Sequence, residues 1–380
     1  MDGLGLVANP YIIGNPVHGD MFVGREDVLR RLEELWGQEG PRSSVVLYGH
    51  RRMGKTSVLQ NLSGRFGSQT LVVDFSMQRL GRIRQDGELL FNLALRLYDV
   101  WHARGYDNVV EPIEQDFMGN YAYTAFDRFL AKLGQVRGNH RFIITIDEFE
   151  RIEEHIDKGR LDSHALGHWR GIFQTYPWLI AIFAGLHTLE EMRHDYWHPF
   201  YGSVASIEVS FLSREWSHRL ITQPKPNFPL EYDAKAVEQI ISLTCGQPYL
   251  LQLIAHNLVT RFNRQTVGEG KQRETQFIVD DIEAVIDSSE FYRDANAYFN
   301  GVWARAATSQ PAGQNAILNA LSRSPLSLNE LATETQLSLD NLRGALSTLR
   351  RHDVIVQQNE KYTYTVELMR RWVVQRLMRD

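Results

Sequence analysis

Length, composition and charge set the outer limits for this chain. Its 380 residues suffice for two or three domains, and a hydrophobic content of 43% suits a folded core. The net charge of -5, with acids and bases interspersed, gives no global reason to expect nucleic acid, and no apolar run approaches the roughly 20 residues that span a bilayer. Cys245 is the only cysteine, which excludes intramolecular disulfides, and the N-terminus lacks a signal-peptide pattern. We expect a cytoplasmic protein with no membrane partner.

The first half of the chain alternates short aliphatic runs with longer helical patterns. Runs without strict alternation suit parallel strands covered on both faces, and helical patterns repeat apolar residues every three or four positions. The predicted strands are 44–48, 70–75, 141–147, 178–185 and 205–211, and the predicted helices include 88–105 and 123–136. These elements predict an α/β core over residues 21–212, after a lead segment of residues 1–20.

The strand patterns stop after about Leu212, and the second half is predicted to hold two further domains. Residues 213–310 are expected to form a purely helical lid, with helices on either side of Cys245 and Gly246. Residues 311–380 show three short helical patterns, the second and third each following a serine that can cap them. The alternating run KYTYTV and a final helix complete the order of a winged helix-turn-helix domain.

The segment GHRRMGKTS matches the phosphate-loop pattern G-x-x-x-x-G-K-[ST]. It follows a predicted buried strand and precedes a helical pattern in SVLQNLSGRF, which is the context that such a loop requires. Backbone N–H groups of the loop would cradle a polyphosphate, Lys55 would reach the β- and γ-oxygens, and Thr56 would bind Mg²⁺. We therefore predict a site for ATP and Mg²⁺ with nucleotide-binding residues Gly49, His50, Arg51, Arg52, Met53, Gly54, Lys55, Thr56 and Ser57.

Two acids follow the apolar strand pattern FIITI. Asp147 is predicted to hold the magnesium shell, and Glu148 is predicted to be the general base that polarises an attacking water. Adjacent acids at a strand end are common by chance, but a phosphate loop about ninety residues upstream makes the pair specific. The phosphate loop follows the first predicted strand, and the two acids end the third. This order implies an additional strand between those two strands. Glu148 and Lys55 are thus the predicted catalytic residues, and Thr56 and Asp147 the metal ligands.

Further segments surround these motifs. They are MFVGREDVLRRLEELW, FAGLHTLEEM, FLSREWSHRLITQP and LTCGQPYLLQLIAHNLV. Together with GHRRMGKTS and ITIDEFERI, they resemble the STAND class of AAA-like signal-transduction ATPases, which includes the archaeal-type ATPases and is related to the NB-ARC switches. The resemblance runs from about Asn9 to the end of the chain. It implies a P-loop NTPase core of the ASCE/AAA-like type, followed by a helical lid and a winged helix.

The resemblance also implies further site residues. Gly24 and Arg25 of FVGRE match a segment that usually lies against the adenine, and Pro248 of CGQPYLL matches a proline that packs on the base from the lid. His187 and Thr188 follow the fourth predicted strand, where related ATPases keep a polar sensor near the γ-phosphate. A capping threonine beside a surface histidine is an equal alternative for this pair.

The chain departs from the resemblance at its end. Related switches hold the bound diphosphate with a His-Asp pair at the end of the winged helix, but the matching stretch here has Val366 and Glu367. His352 and Asp353 come earlier, just after the third predicted helix, at a position that does not suit that grip. A trans-acting arginine is not assigned, and an exposed solubilising role is favoured for the candidates Arg193, Arg214 and Arg219. Solvated or packed side chains are favoured over a zinc site for the pairs His164–His168 and His194–His198.

These features predict an ATP-binding and slowly hydrolysing molecular switch. It would couple occupancy by Mg-ATP to rearrangement of the lid and winged helix, and to assembly of a nucleotide-dependent homo-oligomer or binding of a protein partner, in signalling or defence. A further interpretation is that the chain is one module of a larger defence or signalling protein, or acts beside such a protein. The alternative is an ATP-dependent DNA-binding protein that uses the winged helix, as initiators and transposition regulators do.

The charge of the winged helix favours the switch over this alternative. The basic or polar winged-helix residues are Asn341, Arg343, Arg350, Arg351 and Lys361, and the acids interspersed with them are Glu330, Glu334, Asp340 and Asp353. Because nucleic-acid binding usually concentrates bases to displace several counterions, a packing role for the winged helix is favoured.

Overall fold

The computed structural model describes residues 5–36, 43–77, 83–186 and 204–378. Contacts divide the chain into two compact units. The first, called here the sheet unit, comprises Arg25–Gly49 and Gly54–Val209; the second, called the helical unit, comprises the chain up to Gly24, His50–Met53 and the chain from Ser210 onward. Among the described residues, no helix combines the length and the apolar character needed to cross a bilayer.

Five parallel strands form the core of the sheet unit. In chain order they are β1 (Ser44–Tyr48), β2 (Thr70–Ser76), β3 (Arg141–Asp147), β4 (Leu179–Gly185) and β5 (Val204–Glu208). Their order in the sheet is β2-β3-β4-β1-β5, so β4 lies between β1 and β3 and the predicted additional strand is confirmed. Every residue of β4 is buried, as expected for a strand covered on both faces.

Six described helices accompany this sheet. They are α1 (Glu26–Trp36), α2 (Lys55–Gln60), α3 (Asp86–His102), α4 (Ala122–Val136), α5 (Glu150–Asp157) and α6 (Ala165–Thr175). The apolar faces of α3 and α4 place Leu93, Leu97 and Leu130 in one buried cluster, where each side chain contributes about 2 kcal/mol through burial. Helix α2 ends at Gln60, earlier than SVLQNLSGRF predicted, and the Asn61 side chain donates to the Ser57 carbonyl oxygen over 2.7 Å at its end.

The lid part of the helical unit has five helices. They are α7 (Arg214–Thr222), α8 (Ala234–Thr244), α9 (Pro248–Asn263), α10 (Val279–Ile286) and α11 (Ser289–Thr308). The expectation of helices alone is wrong in one detail, because β6 (Glu231–Tyr232) and β7 (Gln276–Phe277) pair in parallel. Two-residue strands are too short to show a periodicity in sequence.

The predicted winged helix is present at the end of the chain. Its elements are α12 (Gln314–Leu321), β8 (Leu326–Ser327), α13 (Leu328–Thr335), α14 (Leu339–Arg351), β9 (Ile355–Gln358), β10 (Lys361–Tyr364) and α15 (Glu367–Leu377). Ser327 and Ser338 cap α13 and α14 as predicted, each accepting a backbone N–H at 3.4 Å. The three strands pair in the order β8-β10-β9 and form the wing.

The N-terminal segment lies along α9 within the helical unit. Asn263 uses its side-chain amide to accept from Val7 N and donate to Val7 O, over 2.9 and 2.8 Å. The side chain of Gln252 accepts from Ile12 N over 2.9 Å, and His256 Nδ1 contacts Tyr11 O at 3.0 Å. The lead segment is therefore held by side chains of the lid, while the four-part domain division stays a prediction.

Candidate nucleotide-binding site

The phosphate loop leaves β1 through a turn that only glycine can adopt. Gly49 has a φ of 152°, and a Cβ there would lie 2.3 Å from the carbonyl oxygen of Val209. Gly54, at a φ of 88°, precedes α2, and Val58 N donates to Gly54 O over 2.9 Å. The glycines of the motif therefore set the path of the loop.

Lys55 reaches back across this loop. Its Nζ donates to the carbonyl oxygen of Gly49 over 2.6 Å. Since Gly49 and Lys55 stand at the two ends of the loop, this hydrogen bond keeps the ammonium group over the loop backbone. A phosphate oxygen would form a stronger, charge-assisted hydrogen bond with the same group.

Thr56 and Asp147 come together at the carboxyl edge of the sheet. The hydroxyl of Thr56 donates to Oδ2 of Asp147 over 2.7 Å, and the backbone N–H of Glu148 donates to Oδ1 over 3.0 Å. A hydroxyl and a carboxylate supply the hard oxygen ligands that Mg²⁺ prefers, and magnesium in nucleotide sites typically takes one or two carboxylates besides phosphate and water. The pair predicted as metal ligands therefore fits Mg²⁺.

Glu148 lies two residues before α5 in an unusual backbone conformation. Its φ is 57°, in the left-handed region that non-glycine residues rarely adopt. Its Oε2 is 2.6 Å from Nε of Arg151, one turn further on, and the next residue, Phe149, donates its N–H to Ala184 O over 3.0 Å. Sequence reasoning missed Arg151, although the spacing of three residues at a helix start was a usable signal.

Arg25 is buried beside the loop in the sheet unit. Only 5% of its surface is exposed, and its Nε lies 3.9 Å from the position that a Cβ on Gly54 would take. Burial lowers its pKa to about 10, although Asp27 and Glu26 act in the opposite direction, so the guanidinium stays charged at neutral pH. Arg25 can therefore supply positive charge near the loop.

Gly24, the residue before Arg25, packs within the helical unit. A Cβ on Gly24 would lie 2.6 Å from Cδ2 of Leu212 and 2.7 Å from Cβ of Trp216, so a larger side chain would clash there. The predicted contact of Gly24 with adenine stays a prediction.

The lid element around Pro248 contacts the middle of the loop through its neighbours. Pro248 is the first residue of α9, and the preceding Gln247 is fully buried. Gln247 accepts from Leu250 N over 2.6 Å, which caps the helix, and its Nε2 donates to Arg52 O over 3.2 Å. The guanidinium of Arg52 lies 3.9 Å from the ring centroid of Tyr249. Sequence reasoning identified Pro248 but missed Gln247 and Tyr249.

His50, also in the middle of the loop, packs against the winged helix. Its ring meets His352 edge to face, with centroids 5.3 Å apart, and Nη2 of Arg305 lies 2.8 Å from Nε2 of His352. His352 therefore lies directly against a loop residue, and the expectation that His352 and Asp353 do not grip a diphosphate stays a prediction.

Asp353 adds a partly buried carboxyl to this cluster. Ser210 donates to its Oδ2 over 2.6 Å, and a cavity of about 10 Å³, lined by His50, His352, Asp353 and Tyr298 among others, lies beside it. Burial raises the pKa of Asp353, while the Ser210 hydroxyl and His352 act in the opposite direction.

The remaining candidate residues fall into two groups. His187, Thr188, Arg193, His194 and His198 lie outside the described residues. Arg214 forms an ion pair with Glu238, and Arg219 lies 5.1 Å from the ring centroid of Trp216; both arginines are exposed.

The described histidine pair likewise shows no metal-site geometry. His168 packs edge to face on Tyr123, with centroids 4.3 Å apart. In the parts of the chain that the structure describes, no group of three or more His, Cys, Asp or Glu side chains is placed to hold a metal ion.

Comparison with solved structures shows the fold. The Walker-type ATPase of Pyrococcus abyssi matches with a TM-score of 0.66 at 18% identity, over 95% of this chain and 99% of that chain. The ORC1 protein of Aeropyrum pernix, in complex with DNA, has a TM-score of 0.46 at 15% identity, over 94% and 95%. The RuvB Holliday junction branch migration motor of Thermotoga maritima has 0.44 at 14%, over 90% and 92%. No protein family and no curated protein matches the sequence. The chain has the P-loop ATPase fold.

Proposed function

We propose that this protein is an ATP-binding and slowly hydrolysing molecular switch of the STAND/AAA-like class. One observation carries the proposal: the Thr56 hydroxyl and the Asp147 carboxylate meet at 2.7 Å beside a phosphate loop, on a sheet with the P-loop ATPase strand order. A structural loop of glycines needs no acid from a strand 91 residues away. A site for magnesium and a polyphosphate needs this pair.

In the proposed reaction, the site residues have separate tasks. The amides of the loop and Lys55 bind the phosphates, with Lys55 exchanging the Gly49 carbonyl for a phosphate oxygen. Thr56 and Asp147 would hold Mg²⁺, which when bound neutralises charge on the β- and γ-phosphates. Glu148 accepts the proton of the attacking water. Gly24, Arg25 and Pro248 are proposed contacts of the nucleotide, and His187 and Thr188 are the proposed sensor.

The middle of the loop supports the switching part of the proposal. His50 and Arg52 contact Tyr249, Gln247 and His352, which belong to the lid and the winged helix. A phosphate group that reorients the loop backbone also alters these contacts. The bound nucleotide therefore has differential contacts with two states of the helical unit, as a population shift requires. Assembly of a homo-oligomer or binding of a protein partner would then depend on which state of the helical unit is populated.

Hydrolysis by two matched variants tests the proposed enzyme. We expect Glu148→Gln to lower kcat for ATP about 100-fold or more, the usual contribution of a general base, and to keep the affinity for Mg-ATP. Glu154→Gln is the control, because Glu154 is an exposed acid on α5, the helix that follows Glu148, and pairs with Lys158. Equal rates for wild type and Glu148→Gln would contradict the assignment of the base.

Hydrogen exchange tests the switch separately from the chemistry. We expect the non-hydrolysing Glu148→Gln variant to show different exchange in the segments containing Gln247 and His352 with Mg-ATP and with Mg-ADP. Identical exchange in the two nucleotide states would leave an ATPase without the proposed switch.

One observation favours the DNA-binding alternative. Asn341, Arg343 and Arg350 are exposed on α14, the third helix of the winged helix, where a major-groove contact is made in related domains. Duplex DNA titrated at two salt concentrations decides the matter, since each phosphate contact steepens the loss of affinity with salt. Binding at low salt that disappears in an Arg343→Gln, Arg350→Gln variant would favour the DNA-binding function.

A further inference from the structure

We infer that Arg151 is a positioning residue that restrains Glu148 in the resting protein. The inference deepens the proposed function and rests on it, since it concerns the control of hydrolysis at the same site. In this account, the guanidinium of Arg151 holds the carboxylate of Glu148 until the pair opens. Slow turnover is then a property of this ion pair as well as of the nucleotide cycle.

The geometry places the ion pair on the group that the reaction needs. Nε of Arg151 is 2.6 Å from Oε2 of Glu148, a short distance even for a charge-assisted contact. Oε2 is also buried from solvent. A general base must lie within hydrogen-bond reach of the water whose proton it takes. An oxygen that is both covered and engaged by a cation does not meet that condition.

The backbone around Glu148 belongs to the same arrangement. Its φ of 57° lies in the left-handed region that residues with a side chain rarely adopt, and α5 begins two residues later, at Glu150. Arg151 N donates to Glu148 O over 3.0 Å, so the backbone and side chains of the two residues are joined in one turn. Opening the side-chain pair frees the carboxylate to turn and removes one of the two contacts that hold this turn together.

The ligands proposed for magnesium are held by other contacts. Asp147 is engaged by Thr56 Oγ1 and by Glu148 N, and neither contact involves the Arg151 side chain. Loss of the guanidinium should therefore change kcat and leave the affinity for Mg-ATP unaltered. A residue that merely stabilised the fold would change both.

The size of the effect follows from the exposure of the pair. The Arg151 side chain is 45% exposed and that of Glu148 is 27% exposed, so the interaction is screened. We expect Arg151→Gln to raise kcat about twofold to fivefold, as release of a partly exposed ion pair allows, with the Kd for Mg-ATP within about twofold of wild type.

Two variants control for charge and for position. Arg151→Lys keeps a cation within reach and should turn over at the wild-type rate. Arg170→Gln removes an exposed arginine from α6 and should change nothing. The double variant Arg151→Gln, Glu148→Gln should be as slow as Glu148→Gln alone, because the restraint acts through that carboxylate. A faster double variant would overturn the inference.

A measurement on the nucleotide-free protein completes the test. Amide hydrogen exchange of a peptide covering 147–152 should be faster in Arg151→Gln than in wild type, Arg151→Lys or Arg170→Gln. Unchanged exchange, or an unchanged or lower kcat in Arg151→Gln, would overturn the inference. If wild type hydrolyses ATP and Arg151→Gln is no faster, only the inference fails. If wild type neither binds nor hydrolyses ATP, the proposed function fails with it.

Discussion

The ends of the phosphate loop and its middle are held by different kinds of contact. Gly49, Lys55 and Thr56 belong to the sheet unit, where Val209, Asp147 and the loop backbone position them. The residues His50–Met53 belong to the helical unit.

In the helical unit, the contacts of the loop middle come from Gln247, Tyr249 and His352. Binding chemistry and conformational response are therefore assigned to different residues of one short loop. Substitutions can separate the two.

The largest effect is expected at the end of the loop. Lys55→Ala should weaken binding of Mg-ATP by about 100-fold, because an ammonium group contributes two or more charge-assisted hydrogen bonds to the phosphates. Isothermal titration calorimetry measures the affinity, with Lys158→Ala, at an exposed lysine directly after α5, as the matched control. Wild-type affinity in Lys55→Ala would show that the loop ends do not bind phosphate.

An intermediate effect is expected in the middle of the loop. Gln247→Ala should lower the free energy of unfolding by about 1–3 kcal/mol, since Leu250 N and Arg52 O lose a buried partner. Gln252→Ala is the control: Gln252 lies on α9, the helix that Gln247 caps, and is also buried, but it accepts from Ile12 N.

For both variants, urea unfolding measures the free energy of unfolding, and ATP titration measures the affinity for Mg-ATP. Both should be less stable than wild type, and only Gln247→Ala should change the affinity for Mg-ATP. Equal changes of the affinity for Mg-ATP in the two variants would contradict a specific connection between Gln247 and the loop.

The smallest effect concerns the pH dependence of the helical unit. Because burial raises the pKa of Asp353 above 3.8, the folded protein binds this proton more tightly than the unfolded chain. The tighter binding of this proton therefore stabilises the folded protein below about pH 4, and this stabilisation is lost as the pH rises through the raised pKa.

Thermal unfolding at pH 4 and pH 7 checks this sign. Asp353→Asn should not lose stability between the two pH values. Its free energy of unfolding at pH 7 should exceed that of wild type by about 1 kcal/mol or less. Ser210→Ala should enlarge the loss, since the Ser210 hydroxyl lowers the pKa of Asp353. A smaller loss in Ser210→Ala would contradict the account.

Local sequence order explains what could be predicted. The loop, the strand before it and the acidic strand are short contiguous segments, and parallel strands bring their carboxyl ends to one edge of the sheet, so Thr56 and Asp147 were placed together correctly. The serine caps of α13 and α14 were predictable for the same reason.

Contacts between distant segments explain what was missed. Gln247 and Arg52 are 195 residues apart, and no periodicity or motif links a buried amide to a loop carbonyl. The meeting of His50 with His352 depends on the same tertiary packing. Arg151 was missed for another reason: its spacing from Glu148 was visible, but the left-handed backbone of Glu148 was not.

A structure determined with Mg²⁺ and a non-hydrolysable ATP analogue tests the central claim most directly. The account predicts β- and γ-phosphates surrounded by the loop amides, with Lys55 Nζ moved from Gly49 O to a phosphate oxygen and Mg²⁺ bound by Thr56 Oγ1. A loop that keeps the hydrogen bond from Lys55 to Gly49, with no analogue bound at saturating concentration, would contradict it.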